Sequence, residues 1–478
     1  MRAMQSRFTF NILAYSAGAV AQVIMTPLTM LIVTGVLAPG EYGKYTLFLA
    51  AASFASVLGS QWLQQAISRY VPGQREDREK RKLIGAVLIG VPIVLSFVVL
   101  ICIGIWSWSG PLKLAVVQQY RWAFVASSCA MSVWACVLSI EQAQFHALRY
   151  NIIKVGTAGL ILAIFITCLV IGKSGLSAII AGQTLAYVLA CVLCAKGVGF
   201  VHSALGAGRE RFEMVLGFAG YGMPITIWFL FYTVLTLCDR FFIERYQGEY
   251  FVGIYAANAT IALGIVSLIA TPLIMTLHPL LMKAWDAGNC DVVNVLINEA
   301  VNWLLMTLVL GVAFVEITKD FWLKRVMNRA YLEGGGAIST LMAAGVLWQV
   351  GTYCHKVLEF RKKTAAMASI LGFCVGVSML FDWLFVGSYG YLAAAFGMVL
   401  GNLLYVLFTT ALGERIEKGV RIRLNVKKLF IISLAASVAI MLRSDLLISG
   451  LILLGILFLY ARWSFEKVLI FRSVGGAI

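Results

Sequence analysis

Residues 239–285 read DRFFIERYQGEYFVGIYAANATIALGIVSLIATPLIMTLHPLLMKAW. An acid–base pair, Asp239-Arg240, closes one apolar run, and a short polar loop follows. Gly253-Ile254-Tyr255 then opens a second apolar run that ends near Pro279 and Lys283. The same arrangement occurs in EYGKYTLFLAA at 41–51, where Gly43-Lys44-Tyr45 matches Gly253-Ile254-Tyr255. Each copy follows a long apolar segment and opens another. The pattern predicts a chain built twice from one plan.

Composition says what surrounds that plan. Of the 478 residues, 61% are hydrophobic and only 13% are charged, and the mean hydropathy is +0.90. Soluble domains carry about 25% charged residues. Lipid is therefore the expected solvent for most of the surface. A bilayer-spanning helix needs about 20 mostly apolar residues, and runs of that length recur from end to end. A membrane β-barrel would instead alternate in segments of about 10 residues, a pattern not seen here. The net charge of +16 fits basic loops on the cytoplasmic side of a membrane better than a nucleic-acid partner. Cys191 and Cys194 form a C-x-x-C inside an apolar helix with no second ligand pair, and the four histidines are scattered. No metal, cofactor or catalytic constellation is expected.

Fourteen spans are predicted, at about 8–34, 42–68, 83–108, 121–142, 155–172, 176–196, 214–238, 250–282, 295–316, 337–355, 365–386, 391–412, 429–442 and 446–461. This is an all-α, polytopic organisation. A six-helix bundle over 1–205 precedes a second over 206–412. A basic loop, two further spans and a tail fill 413–478. Each six-span copy contains a pair joined by a Gly-x-x-Gly turn, at 172–175 and 387–390. With the N-terminus placed in the cytoplasm, most of the 38 Lys and Arg residues fall on the cytoplasmic side. Both termini are then expected there.

Polar residues inside spans mark helix contacts or a water-filled path. Asn11, Tyr15, Gly18, Gln22, Thr26 and Thr29 share one face of span 1. Gln61, Gln65 and Arg69 share one face of span 2. Tyr221, Trp228, Tyr232 and Asp239 share one face of span 7, and Tyr255 and Asn258 lie on span 8. Two readings fit these stripes. One is a cleft in which amides bond sugar hydroxyls and aromatic faces pack on pyranose rings. The other is polar glue between helices. Arg69 extends its stripe toward an anion contact. Asp239 and Arg240 are candidates for a salt-bridged gate or a neutralised interfacial pair. Asp239 and Glu141 are candidates for ion coupling. Pro27, Pro224, Pro272 and Pro279 lie in spans 1, 7 and 8, where proline permits bending.

EYGKY with AISRYVP, and FAGYGMPITI with DRFFIERYQGEYFVGIYAANA, resemble the Wzx-type polysaccharide repeat-unit flippases. These belong to the multidrug/oligosaccharidyl-lipid/polysaccharide exporter superfamily. The motifs cover roughly residues 1–285. The resemblance implies two six-helix bundles in a V, and alternating access. It implies a bacterial inner-membrane protein that carries undecaprenyl-diphosphate-linked oligosaccharide to the periplasmic leaflet for O-antigen, capsule or exopolysaccharide biosynthesis. It implies a path lined by spans 1, 2, 7 and 8, and a glycan polymerase and chain-length regulator as candidate protein partners. Two other functions compete. A cation-coupled multidrug exporter of the same superfamily would place acids deep in its bundles, whereas the acids here sit at span ends. A membrane glycan polymerase or ligase would expose a large catalytic outer loop, and the longest outer loop here is about 319–335. No enzymatic activity is expected.

Overall fold

The structure, a computed structural model, describes residues 2–72, 77–109, 115–144, 146–172, 175–195, 209–442, 449–452 and 454–456. Every regular element among them is a helix. In order these are α1 (Arg2–Val36), α2 (Pro39–Tyr70), α3 (Asp77–Ser109), α4 (Ala115–Gln119), α5 (Arg121–Ala143), α6 (Ala147–Val170) and α7 (Leu176–Ala195). Then come α8 (Arg209–Leu237), α9 (Asp239–Gln247), α10 (Glu249–Asp286), α11 (Cys290–Val326) and a 3₁₀ segment (Arg329–Ala337). The remainder are α12 (Ile338–Cys354), α13 (Lys356–Phe360), α14 (Thr364–Tyr389), α15 (Tyr391–Ile416) and α16 (Val426–Met441). Eleven helical stretches among the described residues are long and apolar enough to cross a membrane. They correspond to predicted spans 2–12. Span 1 is the 35-residue α1 and span 13 is the 16-residue α16. Most of span 14 lies outside the described residues. This is a multi-pass membrane protein.

Several helices run beyond their apolar cores, because polar residues at a membrane surface still propagate a helix. The expected loop from Thr318 is helical to Val326, with Lys319 Nζ 2.7 Å from Glu316 Oε2 one turn back. The expected loop between spans 7 and 8 is itself a helix, α9. Its C-terminus is Gly248, whose φ of 87° suits a residue without a side chain. Asp239 therefore opens α9 rather than ending α8.

The chain packs into two compact units. The first comprises Met1–Ala256 with Val386–Gly390, and α2 forms its centre. The sequence of α2 explains why. Ala50, Ala51, Ala52, Ala55, Ser56, Gly59, Ser60 and Ala66 are small, and all are buried. Small residues let membrane helices approach closely where lipid provides no hydrophobic drive. Thus α3 brings Val98 against Gly59, and Ser132 Oγ of α5 donates to Ser56 Oγ at 3.1 Å. Tyr45 donates to Gln183 of α7. Along α8, Gly222 lies directly against the Trp62 backbone.

The second unit comprises Ala257–Phe385 and Tyr391–Ile478. Here α12 and α15 pair. Asn402 Nδ2 donates to the Ala344 carbonyl at 3.1 Å, and Tyr405 stacks on Trp348 at 5.6 Å. Gly397 of α15 leaves room for Asp382 of α14. On α16, Ile432, Ala436 and Ala439 are buried with Met306, Leu310, Ala313 and Ile317 of α11.

Candidate functional site

The duplicated Gly-x-Tyr segments meet each other. Gly43 and Gly253 face one another across the first turns of α2 and α10, both within the first unit. A Cβ on Gly43 would collide with the Glu249 carbonyl and lie 3.0 Å from the Gly253 nitrogen. A Cβ on Gly253 would collide with the Pro39 carbonyl and lie 3.0 Å from the Gly43 nitrogen. The relation is reciprocal. Each glycine meets the carbonyl of the residue four before its counterpart, which gives a local two-fold crossing of the two repeat copies. Each glycine thus turns a Cα hydrogen toward the other helix's carbonyl. Such contacts contribute about 0.5–1 kcal/mol each. At the rim, Lys44 Nζ lies 3.2 Å from Glu249 Oε2, with both side chains about one-third exposed.

Behind this crossing, Tyr255 donates its hydroxyl to Asp239 Oδ2, and the Arg240 backbone N–H donates to Asp239 Oδ1 at 2.8 Å. Tyr255 and Asp239 are buried. The carboxylate therefore ties the break at Cys238, between α8 and α9, to the second turn of α10. Among the described residues no side-chain ion pair joins Asp239 to Arg240. The Arg240 amide and the Tyr255 hydroxyl each donate to one carboxylate oxygen of Asp239.

The other expected site residues fall in distinct surroundings. The side chains of Asn11 and Tyr15 lie outside the described residues. Gln22 is half-buried on α1, and Thr26 turns its hydroxyl back onto the Gln22 carbonyl at 3.1 Å. On this helix Gly18 packs closely against Asn151 of α6. On α2, Gln61 is buried, Gln65 half-buried and Arg69 exposed. Trp228 and Tyr232 on α8 are half-buried and stack at 6.3 Å. Glu141 is buried near the end of α5, with Oε2 3.0 Å from Nδ1 of the more exposed His146. Asn258 belongs to the second unit. It is fully buried and donates to the Tyr331 carbonyl at 3.2 Å. In this conformation Tyr255 and Asn258 are thus enclosed and bonded within the protein. Aromatics near the far end of α2 close against α8, with Tyr70 5.5 Å from Phe218 and 5.7 Å from Tyr221.

The sequence profile of the family described as polysaccharide biosynthesis protein matches residues 8–285. That is more than half of the chain, and it contains both halves of the glycine crossing. The chain belongs to this family. No curated protein matches it. Among solved structures it is similar to the lipid II flippase MurJ in an inward closed conformation. That match has a TM-score of 0.73 at 13% identity and covers 96% of this chain and 100% of MurJ. It is also similar to a MATE multidrug resistance transporter of the MOP superfamily. The inward-facing form matches with a TM-score of 0.63 at 17% identity, covering 83% of this chain and 95% of that one. An outward-facing MATE structure matches with a TM-score of 0.58 at 15% identity, covering 86% and 96%. At these identities the likeness establishes the fold, so this family member has the polytopic fold that MurJ and MATE transporters share.

Proposed function

We propose that this polysaccharide biosynthesis family member is a flippase. It carries an undecaprenyl-diphosphate-linked oligosaccharide from the cytoplasmic to the periplasmic leaflet of a bacterial inner membrane by alternating access. Both termini are cytoplasmic in this reading, so α2 and α10 begin at the periplasmic end. The repeat copies are 1–205 and 206–412, followed by the 413–478 extension. The observation that carries the proposal is the reciprocal glycine crossing. It closes one end of α2 onto α10 through backbone proximity and one partly exposed ion pair. An alternating-access protein needs two states of comparable free energy, and such a seam separates without stranding a buried charge.

The polar head of the substrate travels beside Asn11, Tyr15, Gln22 and Thr26 of α1, Gln61, Gln65 and Arg69 of α2, and Trp228 and Tyr232 of α8. The stacked Trp228–Tyr232 pair offers an aromatic surface for a sugar ring, and Arg69, exposed in the last turn of α2, offers a contact for diphosphate. Tyr255 and Asn258 join the path only after their present hydrogen bonds open. Asp239, Arg240 and Glu141 serve gating or coupling. The test is protein-dependent transfer of a labelled prenyl-diphosphate oligosaccharide across reconstituted vesicles. Transfer lost in the Gln22→Ala/Arg69→Ala double variant, with normal insertion, supports the path. No transfer by the wild-type protein across several glycans, with export of a labelled cationic drug instead, would replace this reading by multidrug export.

A further inference from the structure

The second unit holds a segment that neither the fold nor the proposed function accounts for. Between α15 and α16, residues 421–425 (Arg-Ile-Arg-Leu-Asn) run without helix along α11. Three asparagines on α11, at 294, 298 and 302, bind the backbone of this strap. Arg421 N–H donates to Asn294 Oδ1 at 3.0 Å, and Asn298 Nδ2 donates to the Arg421 carbonyl at 2.7 Å. Arg423 N–H donates to Asn298 Oδ1, and Asn302 Nδ2 donates to the Arg423 carbonyl at 2.9 Å. Asn425 N–H donates to Asn302 Oδ1 at 2.7 Å. The spacing explains the fit. Four residues of helix rise about 6 Å, and two residues of extended chain span about 6.7 Å. A side-chain amide carries the same donor and acceptor as a peptide, so the asparagine ladder stands in for a neighbouring strand.

Ordering a loop opposes folding by about 1–2 kcal/mol of backbone entropy per residue. Orientation by the positive-inside rule requires only that the loop be basic, so the ladder asks for another reason. The side chains supply one. Val420 is buried and Ile422 half-buried beneath the strap, while Arg421 and Arg423 are exposed. The acids beside them are occupied. Glu414 accepts the Ile422 N–H at 3.0 Å, and Glu417 pairs with Arg361. That ion pair joins the segment just before the strap to a second ordered basic turn, at Arg361-Lys362-Lys363. There Lys363 N–H donates to the Leu358 carbonyl at 2.8 Å and Lys362 N–H to the Glu359 carbonyl at 2.9 Å. Lys362 takes a φ of 56°, at a helix-terminating position where glycine is usual.

The level of the strap in the membrane follows from α16. Its inward face packs on α11, while Val426, Phe430, Leu434 and Met441 are exposed at steps of 4, 4 and 7. In a membrane protein that apolar stripe meets lipid tails. Arg421 and Arg423 lie just before it in the chain, and basic residues flanking a lipid-facing apolar stripe reach the headgroup level. We propose that the 421–425 strap, with Lys362 and Lys363, is a preorganised site for anionic phospholipid headgroups.

The experiment uses the full chain, purified and then reconstituted with phosphatidylcholine alone or with added phosphatidylglycerol. Bound lipid is counted by native mass spectrometry. The Arg421→Gln/Arg423→Gln variant should retain several-fold less phosphatidylglycerol. Asn298→Ala/Asn302→Ala, which keeps every charge, should lose retention to a similar degree. Asn294→Ala, removing only the first rung, serves where the double variant fails to insert. Lys324→Gln/Arg329→Gln, an equal charge change near the other end of α11, should retain lipid normally. Unchanged retention in the arginine variant overturns the site. Loss in the arginine variant with full retention in both ladder variants overturns the preorganisation. Displacement of the lipid by inorganic phosphate overturns the assignment to headgroups in favour of a soluble oxyanion.

Discussion

Two close approaches of chain segments, one inside each unit, are built from opposite materials. At the α2–α10 crossing, backbone meets backbone because Gly43 and Gly253 carry no side chains. At the α11 strap, three asparagine side chains reach a backbone that has no strand beside it. Separating the first forfeits dispersion, weak Cα–H contacts and one partly exposed ion pair. Separating the second gives up five amide hydrogen bonds, at a net of about 0.5–1.5 kcal/mol each. The glycine crossing is therefore suited to a joint that opens, and the asparagine ladder to one that stays shut.

Methyl groups placed in the crossing should have the largest effect. Gly43→Ala and Gly253→Ala each drive a Cβ into a carbonyl of the opposite helix. Backbone does not yield as a side chain end would. Overpacking of this kind typically costs 1–3 kcal/mol, roughly a 5- to 150-fold change in equilibrium. Either variant should shift the population away from the crossed state, and the double variant should do so further. Disulfide formation between Lys44→Cys and Glu249→Cys, with the native cysteines replaced, reads that population. An undiminished cross-link in Gly43→Ala would mean that the helices adjust without parting.

The ladder should respond in a different observable. Asn298→Ala removes a donor to the Arg421 carbonyl and an acceptor for the Arg423 N–H. About 1–3 kcal/mol of local stability goes with them. Faster proteolysis or hydrogen exchange confined to 417–425 is expected, with the Lys44–Glu249 cross-link unaffected. A change at the crossing would show that the two regions are not independent.

How much of this was legible in the sequence differs between the two regions. The apolar runs placed spans 2–12 on observed helices, because about 20 apolar residues have one stable form in lipid. Helix ends were less legible. Asn294 lies just before predicted span 9 and Asn298 and Asn302 lie inside it, and their period-four spacing alone does not reveal a backbone partner. The partner strap lies more than 120 residues further along. The short helices α4, α9 and α13 hold too few residues for a periodicity to register. The Gly-x-Tyr duplication was plain, yet a repeat states equivalence and not contact. Nothing in the chain announces that the two copies touch. Tyr255 shows the same limit, since an aromatic hydroxyl in a span reads alike whether it faces water or a buried Asp239.

Tyr255→Phe removes one donor from a buried carboxylate and leaves the ring in place. A hydrogen bond to a charged group is worth about 1.5–3 kcal/mol, and a neutral one about 1. The break between α8 and α9 should loosen by an amount in this range, below the effect of the paired glycine changes. Hydrogen exchange across 238–243 should rise, and the change should persist in high salt because the bond is buried.

The Lys44–Glu249 pair should matter least. Exposed pairs contribute about 0–1 kcal/mol and are screened by salt. Lys44→Gln and Glu249→Gln should each shift the crossed population by less than about fivefold. A double-mutant cycle should give a coupling that vanishes at high ionic strength. Site-specific fluorescence reporting the α2–α10 distance reads this without replacing the pair by cysteines. A coupling above about 1 kcal/mol, or one indifferent to salt, would transfer the closure from the glycines to the charges. The crossing would then be a gated ion pair that carries glycines for clearance, and Gly43→Ala should lose most of its effect once the pair is removed.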